Sequence, residues 1–219
     1  MFYIINNHRF DKNGFAYGEE RINNRGDCLY CPECADIVSL LQWMPPYEVN
    51  LSGGKFGDFV FGTIDTCLVS NKFKQIYEEN GFRGIENFEP CVLYKRNKKL
   101  DLQYYYLKIP LINARVNIKK SKMVFENEKG KKVYPNCSTC QRAGELKDMR
   151  GFFLEKESII TEDIFIPYFT SEIFFSERLK QATSELTNLK LIEANKYIPI
   201  YIRVFKDPNF FASEIGKYN

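Results

Sequence analysis

Two Cys-x-x-Cys pairs, Cys31-Pro-Glu-Cys34 and Cys137-Ser-Thr-Cys140, stand 106 positions apart, and the chain echoes itself around them at nearly the same interval. "CLVSNKFKQ" from Cys67 and "IFFSERLKQ" from Ile173 repeat at 106, "GDFVFG" from Gly57 and "EDIFIP" from Glu162 at 105, and "IENFEP" from Ile85 and "LKLIEA" from Leu189 at 104. Matched segments that keep their order while the offset drifts by two positions predict a duplicated unit of about 80 residues. A fold built this way must use each local pattern twice.

The repeated segments read alike in physical terms. An apolar run ends at Ser70 or Ser176, and a serine there can cap a helix by accepting a free amide of its first turn. Phe73, Ile76 and Tyr77 share a face of the first helix, expected near 71–80 with Asn80 and Gly81 ending it. Leu179, Ala182 and Leu186 do the same for a second helix near 177–187. "FEPCVLYKR", "LQYYYLKIPLINARVNI" and "IEANKYIPIYIRVF" are expected as strands, with a bend or edge at Pro110. The predicted fold class is α+β: two tandem-duplicated, strand-rich units, each with a knuckle and a short Ser-capped helix, packed as one body. The expected organisation is an N-terminal segment 1–27, unit one over 28–108, a connector 109–133, unit two over 134–205, and a tail 206–219.

Composition narrows the chemistry. Of 219 residues, 44% are apolar, enough for a sizeable core. The apolar run before Asn6 is too short for a signal-peptide core and no stretch reaches membrane-spanning length, so a cytoplasmic protein is expected. In a reducing compartment seven cysteines, an odd number, favour metal or redox chemistry over a disulfide framework. A two-residue gap lets both thiolates of a knuckle face one cation, and two knuckles supply the four ligands that structural zinc requires. Cys31, Cys34, Cys137 and Cys140 are therefore the candidate metal ligands. Buried or free thiols, a redox pair and an iron–sulfur run through Cys28 are the alternatives. Cys28 is expected as an outer or spare thiol, and Cys67 and Cys91 as buried ones.

No catalytic constellation is evident, and no enzyme activity is expected. The single histidine, His8, has no nucleophile motif beside it, and Gly53-Gly54-Lys55-Phe56-Gly57 lacks the spacing of a phosphate loop. Asp58 and Asp163, matched at the 105 offset, are expected as turn or capping residues rather than a catalytic pair. The net charge of +3 announces no polyanionic partner. Lysine runs at 95–99, 119–122 and 129–132, with Tyr104, Tyr105 and Tyr106 nearby, leave a nucleic-acid-binding alternative, read primarily as solvated strand faces. An enzyme of unrecognised type is the lesser alternative.

These features together carry a family resemblance. The paired Cys-x-x-Cys motifs, Trp43 just ahead of Pro-Pro-Tyr-x-Val, "FGDFVFG", the Val-Ser-x-x-Phe helix start, "EDIF" and "FSERLK" make the chain similar to the bacterial double-CxxCG-motif immunity proteins, from about Cys28 to Tyr197. The resemblance implies a cytoplasmic, non-catalytic protein that neutralises a cognate toxin in competition between bacteria. It also implies that Cys31, Cys34, Cys137 and Cys140 take the metal-ligand-like positions. The glycine that closes each family motif is replaced by Ala35 and Gln141. Membrane partners are not expected. Neither the toxin nor the oligomeric state is legible.

Overall fold

The computed structural model describes residues 1–6, 14–63 and 67–206; His8 lies outside them. Among the described residues fifteen strands carry the fold: β1 Phe2–Ile5, β2 Gly18–Glu20, β3 Glu48–Leu51, β4 Phe59–Val60, β5 Leu68–Ser70, β6 Asn87–Lys95, β7 Lys98–Lys99, β8 Tyr104–Lys108, β9 Leu111–Ile112, β10 Val124–Glu126, β11 Lys132–Val133, β12 Glu145–Asp148, β13 Ile164–Pro167, β14 Phe174–Ser176 and β15 Leu191–Glu193. Four helices accompany them: α1 Asn71–Glu79, α2 Ile118–Ser121, α3 Glu177–Ala182 and α4 Ile200–Lys206, with a 3-10 turn at Ala194–Lys196. The result is a mostly β, α+β fold.

Two of the three sheets share one build. In the first, β4, β5, β8 and β6 follow one another; in the second, β13, β14, β1 and β15 do. Each has a helix leaving its second strand, α1 after β5 and α3 after β14. The third place is filled differently. In the first sheet it is β8, downstream of the helix, and in the second it is β1, from the other end of the chain, whose Tyr3 pairs with Phe175 as Tyr105 pairs with Val69. The side chains keep the likeness. The Tyr105 hydroxyl reaches Asn71 at 3.3 Å with Lys74 over its ring, and the Tyr3 hydroxyl reaches Glu177 at 2.7 Å with Lys180 over its ring.

Both expected helix starts are present for the expected reason. Ser70 Oγ accepts the Phe73 amide at 3.4 Å and Ser176 Oγ accepts the Leu179 amide at 3.1 Å, satisfying a first-turn donor. Helix α1 ends at Asn80 with Gly81 left-handed beyond it. Helix α3 is shorter than the expected 177–187: the Thr183 hydroxyl bonds back to the Leu179 carbonyl at 2.8 Å and the chain turns out at Ser184.

Phe73, Tyr77, Phe59 and Val69 of the first sheet and its helix pack with Ile164, Phe175, Leu179 and Tyr3 of the second in one buried cluster. The seam between the two builds is thus a core rather than a surface contact, and at about 25 cal/mol per Å² of apolar area it is a main source of stability. Separate clusters stabilise the outer side of each build, one around Trp43, Val49, Leu93 and Tyr106, the other around Phe152, Phe165, Phe174 and Ile202.

One expected strand is corrected. Of "IEANKYIPIYIRVF" only Ile192 and Glu193 lie in β15; after the 3-10 turn, Pro199 opens α4, its carbonyl accepting the amides of Ile202 and Arg203 at 3.1 and 3.3 Å. The β-branched run suggested a strand, but proline suits a helix start, and the run buries Ile202 against the second core and packs α4 on β12.

Candidate metal centre

Cys31 and Cys34 sit at the tip of an irregular ribbon in which residues 24–31 return antiparallel as 36–44. The Val38 amide bonds the Leu29 carbonyl at 2.9 Å, and isolated bridges join Arg25 to Trp43 and Tyr30 to Ile37. Trp43 anchors the ribbon: it is fully buried, edge-on to Tyr47 and Tyr106, and donates its indole N–H to the Ile22 carbonyl. Cys137 and Cys140 lie in the loop after β11.

The four sulfurs converge. All ligand atoms of Cys31, Cys34, Cys137 and Cys140 lie within 4.8 Å of one another. The nearest pairs join the knuckles, Cys31 to Cys137 at 3.7 Å and Cys34 to Cys140 at 3.6 Å. A tetrahedral ion with metal–sulfur bonds of about 2.3 Å holds its sulfurs about 3.8 Å apart. A disulfide would need about 2.05 Å. The arrangement therefore fits a metal held by four thiolates.

Both knuckles have the same backbone. Ala35 N–H donates to the Cys31 carbonyl at 3.0 Å and Gln141 N–H to the Cys137 carbonyl at 3.1 Å. Ala35 and Gln141 have φ of 60° and 50°, the left-handed conformation for which the glycine of a CxxCG motif is suited. Both turns take that conformation without a glycine. Gln141 compensates with its side chain, which accepts the Val116 amide at 2.7 Å and donates to the Val116 carbonyl at 3.0 Å.

Neighbouring residues lock the two loops together. Glu33, between the first two cysteines, accepts from the Thr139 hydroxyl and from the Cys137 thiol, and these bonds hold its carboxyl below the usual range. Arg142 donates from Nε to the Tyr168 carbonyl at 2.8 Å and from Nη2 to the Val38 carbonyl at 2.9 Å, tying the second knuckle to the ribbon of the first. Burial pushes the Cys31 thiol up, but amides of Cys34 and Glu33 outweigh it and bring it down to about 7. The amide of Asp36 pulls the Cys34 thiol down, while burial and the other three thiols prevail and push it up.

Sequence reasoning placed the four cysteines but not Glu33, Thr139 or Arg142. Glu33 and Thr139 carried a signal, being the same position of the two motifs at the 106 offset. Cys28 is half-buried and outside the cluster, and Cys67 and Cys91 are buried, as expected.

The other candidates have structural roles. Asp58 accepts the Ser70 hydroxyl at 2.8 Å and the Thr187 amide and hydroxyl at 2.8 and 2.7 Å. Asp163 accepts the Ser176 hydroxyl at 2.7 Å, the Arg83 amide at 3.1 Å and Arg178 at 3.2 Å. The lysine runs fall on separate elements, a β6–β7 hairpin, α2 and the β10–β11 turn. Tyr104 and Tyr106 are buried, and Tyr105 is half-buried under Lys74. Among the described residues no helix is long and apolar enough to cross a membrane.

Compared with known proteins, the chain matches no family model and no curated sequence.

Proposed function

We propose that this chain is a non-catalytic binding protein of the immunity type, whose work is to hold and neutralise a cognate toxin, and that a structural zinc ion joins its two duplicated units. The observation that carries the reading is the meeting of the two knuckles: four thiols, contributed by motifs separated by 102 residues, lie within 4.8 Å of one another. Thiolates with this spacing suit zinc, which has no geometric preference beyond the tetrahedron and no redox chemistry of its own. Such a site stabilises a fold rather than performing a reaction, because all four positions belong to protein.

Duplication is supported by the shared sheet order and by the paired Ser–Asp bonds at offsets of 105 and 106; the Tyr105–Lys74 stack is answered by Tyr3–Lys180, whose tyrosine lies 102 positions before its counterpart. The family resemblance supports the toxin partner. A rigid body with its carboxylates Asp58 and Asp163 committed to helix anchoring is a scaffold for recognition, where specificity lies in surface shape and charge. The nucleic-acid alternative draws less support, because its tyrosines pack in the fold and its lysines are dispersed.

The test is a growth assay. The product of the gene adjoining this one is expressed alone and together with this chain. Toxicity relieved by the chain, with the two proteins co-purifying in fixed ratio, supports the reading; toxicity unaffected by the chain contradicts it.

A further inference from the structure

The ribbon that carries the first knuckle, with Ile22 just before it, is unusual in the side chains it leaves exposed. Ile22, Leu29, Tyr30, Ile37, Leu40, Leu41 and Met44 are all exposed, and most of the exposed large apolar side chains among the described residues lie in this one stretch. Single exposed leucines are ordinary, whereas a run of them on one element marks a surface built to be covered. Tyr30 and Ile37 are directly opposed across the ribbon, so their side chains form one patch, exposed by 59% and 50%. Trp43 and Val38 face inward, are buried, and fix the ribbon to the body. The exposed side chains are thus displayed on an anchored element.

Charge says what covers them. Residues 24–44 contain Asp27, Glu33 and Asp36 against one base, Arg25, which is itself paired with Glu20, in a chain whose net charge is +3. All three acids are exposed, and four thiolates around a divalent ion would add two further negative charges at the ribbon tip. Leu29 and Leu40 also line a cleft of about 600 Å³ whose inner wall includes Leu111, Ile166 and Phe169. A cleft of this size accepts several aliphatic side chains.

We propose that ribbon 24–44 is the docking surface for the protein partner, and that the partner presents there aliphatic side chains flanked by lysines or arginines. The inference rests on the protein-binding reading above and names the surface it would use. The aliphatic side chains enter the cleft beside Leu29 and Leu40, and the basic flanks meet Asp27 and Asp36. Apolar anchors in a pocket supply affinity, and the opposite charges supply orientation and salt dependence.

The probe is a synthetic helix of about eighteen residues with leucines along one face and lysines along the other, beside a twin carrying glutamate for every lysine. Binding is followed by fluorescence anisotropy on the full, metal-loaded chain. Expected are saturable binding of the lysine peptide, at least about tenfold weaker binding of the glutamate twin, and weakening by salt. Leu40→Glu with Leu41→Glu lowers affinity for the lysine peptide by about tenfold or more, while Ile159→Glu, on an exposed residue outside the ribbon and the cleft lining, leaves it unchanged. Metal content and far-ultraviolet circular dichroism confirm that the variants are folded.

Equal binding of both peptides, or equal affinity of wild type and the Leu40/Leu41 variant, overturns the proposal. A benzoylphenylalanine at position 40 that cross-links to residues 207–219 or to a second copy of the chain overturns it too, by naming another occupant. The two readings fail separately. A chain that relieves toxicity undiminished by the Leu40/Leu41 change keeps the immunity function and loses this surface; a chain that docks the lysine peptide at the ribbon but relieves no toxicity keeps the surface and loses the toxin.

Discussion

Asp58 and Asp163 occupy the same place in the two sheet-and-helix builds: each accepts the hydroxyl of the serine capping the next helix, at 2.8 and 2.7 Å, and each accepts an amide from the opposite build, Thr187 and Arg83, at 2.8 and 3.1 Å. Each carboxylate therefore fixes a helix start and crosses the seam at once. Burial pushes the Asp58 carboxyl up, but the bonds from Thr187 and Ser70 outweigh it and hold it below the usual carboxylate range.

Asp58→Asn is expected to destabilise the protein by about 1–2 kcal/mol at neutral pH, since the amide cannot accept all three bonds. Because the folded carboxyl is the more acidic one, its contribution is complete above the unfolded value, about 3.9, and fades as pH falls through the lower folded value. Denaturant unfolding of both proteins at pH 7 and pH 3 should show the gap narrowing in acid. An unchanged gap would argue that geometry, not charge, accounts for the loss.

Ser70→Ala and Ser176→Ala each remove a helix cap and a donor to the aspartate behind it. Each is expected to cost about 1 kcal/mol, similar in the two builds. Thermal melts with matched calorimetry test this. A loss confined to one serine would mean that the two caps, alike in geometry, differ in energy.

Gly84 separates the builds most closely. With φ of +119°, a Cβ there would lie 1.9 Å from the Ile164 carbonyl oxygen, backbone that has no room to yield. Gly84→Ala is expected to cost about 3 kcal/mol or more, read as a lower denaturation midpoint. At the matched position, 104 residues on, Asn188 adopts φ of 59° and donates from Nδ2 to the Phe59 carbonyl at 2.8 Å. Asparagine tolerates that conformation.

The knuckle turns give an opposite sign. Ala35→Gly is expected to stabilise the chain by about 0.5–1 kcal/mol, because relief of a left-handed alanine exceeds the entropy that glycine adds to the unfolded state. Gln141→Gly should not stabilise it, since it also removes two hydrogen bonds to Val116. Comparing the two variants by urea denaturation separates backbone strain from side-chain support.

What the sequence disclosed follows from locality. The serine caps, the glycine after α1 and the two-residue cysteine gaps are satisfied within a few residues, so their patterns read directly. The strand–helix error at residues 200–206 arose because β-branched residues serve both states, and the choice was made by Pro199 and by burial of Ile202. The place of β1 in the second sheet was invisible, since "FYII" pairs with β14 and β15 from the far end of the chain. At the cysteine cluster the four thiols were legible as a spacing, but Arg142 was not, because its partners are carbonyls of Tyr168 and Val38, which no side-chain pattern records.

On the proposed function, both knuckles hold one ion. The most direct measurement is elemental analysis of protein purified without added metal, for wild type, Cys31→Ser and Cys137→Ser, paired with thermal melts. About one zinc per chain, lost in either variant together with thermal stability, is the predicted result. A wild-type chain without metal, or a variant of one knuckle that keeps its full zinc, would contradict it.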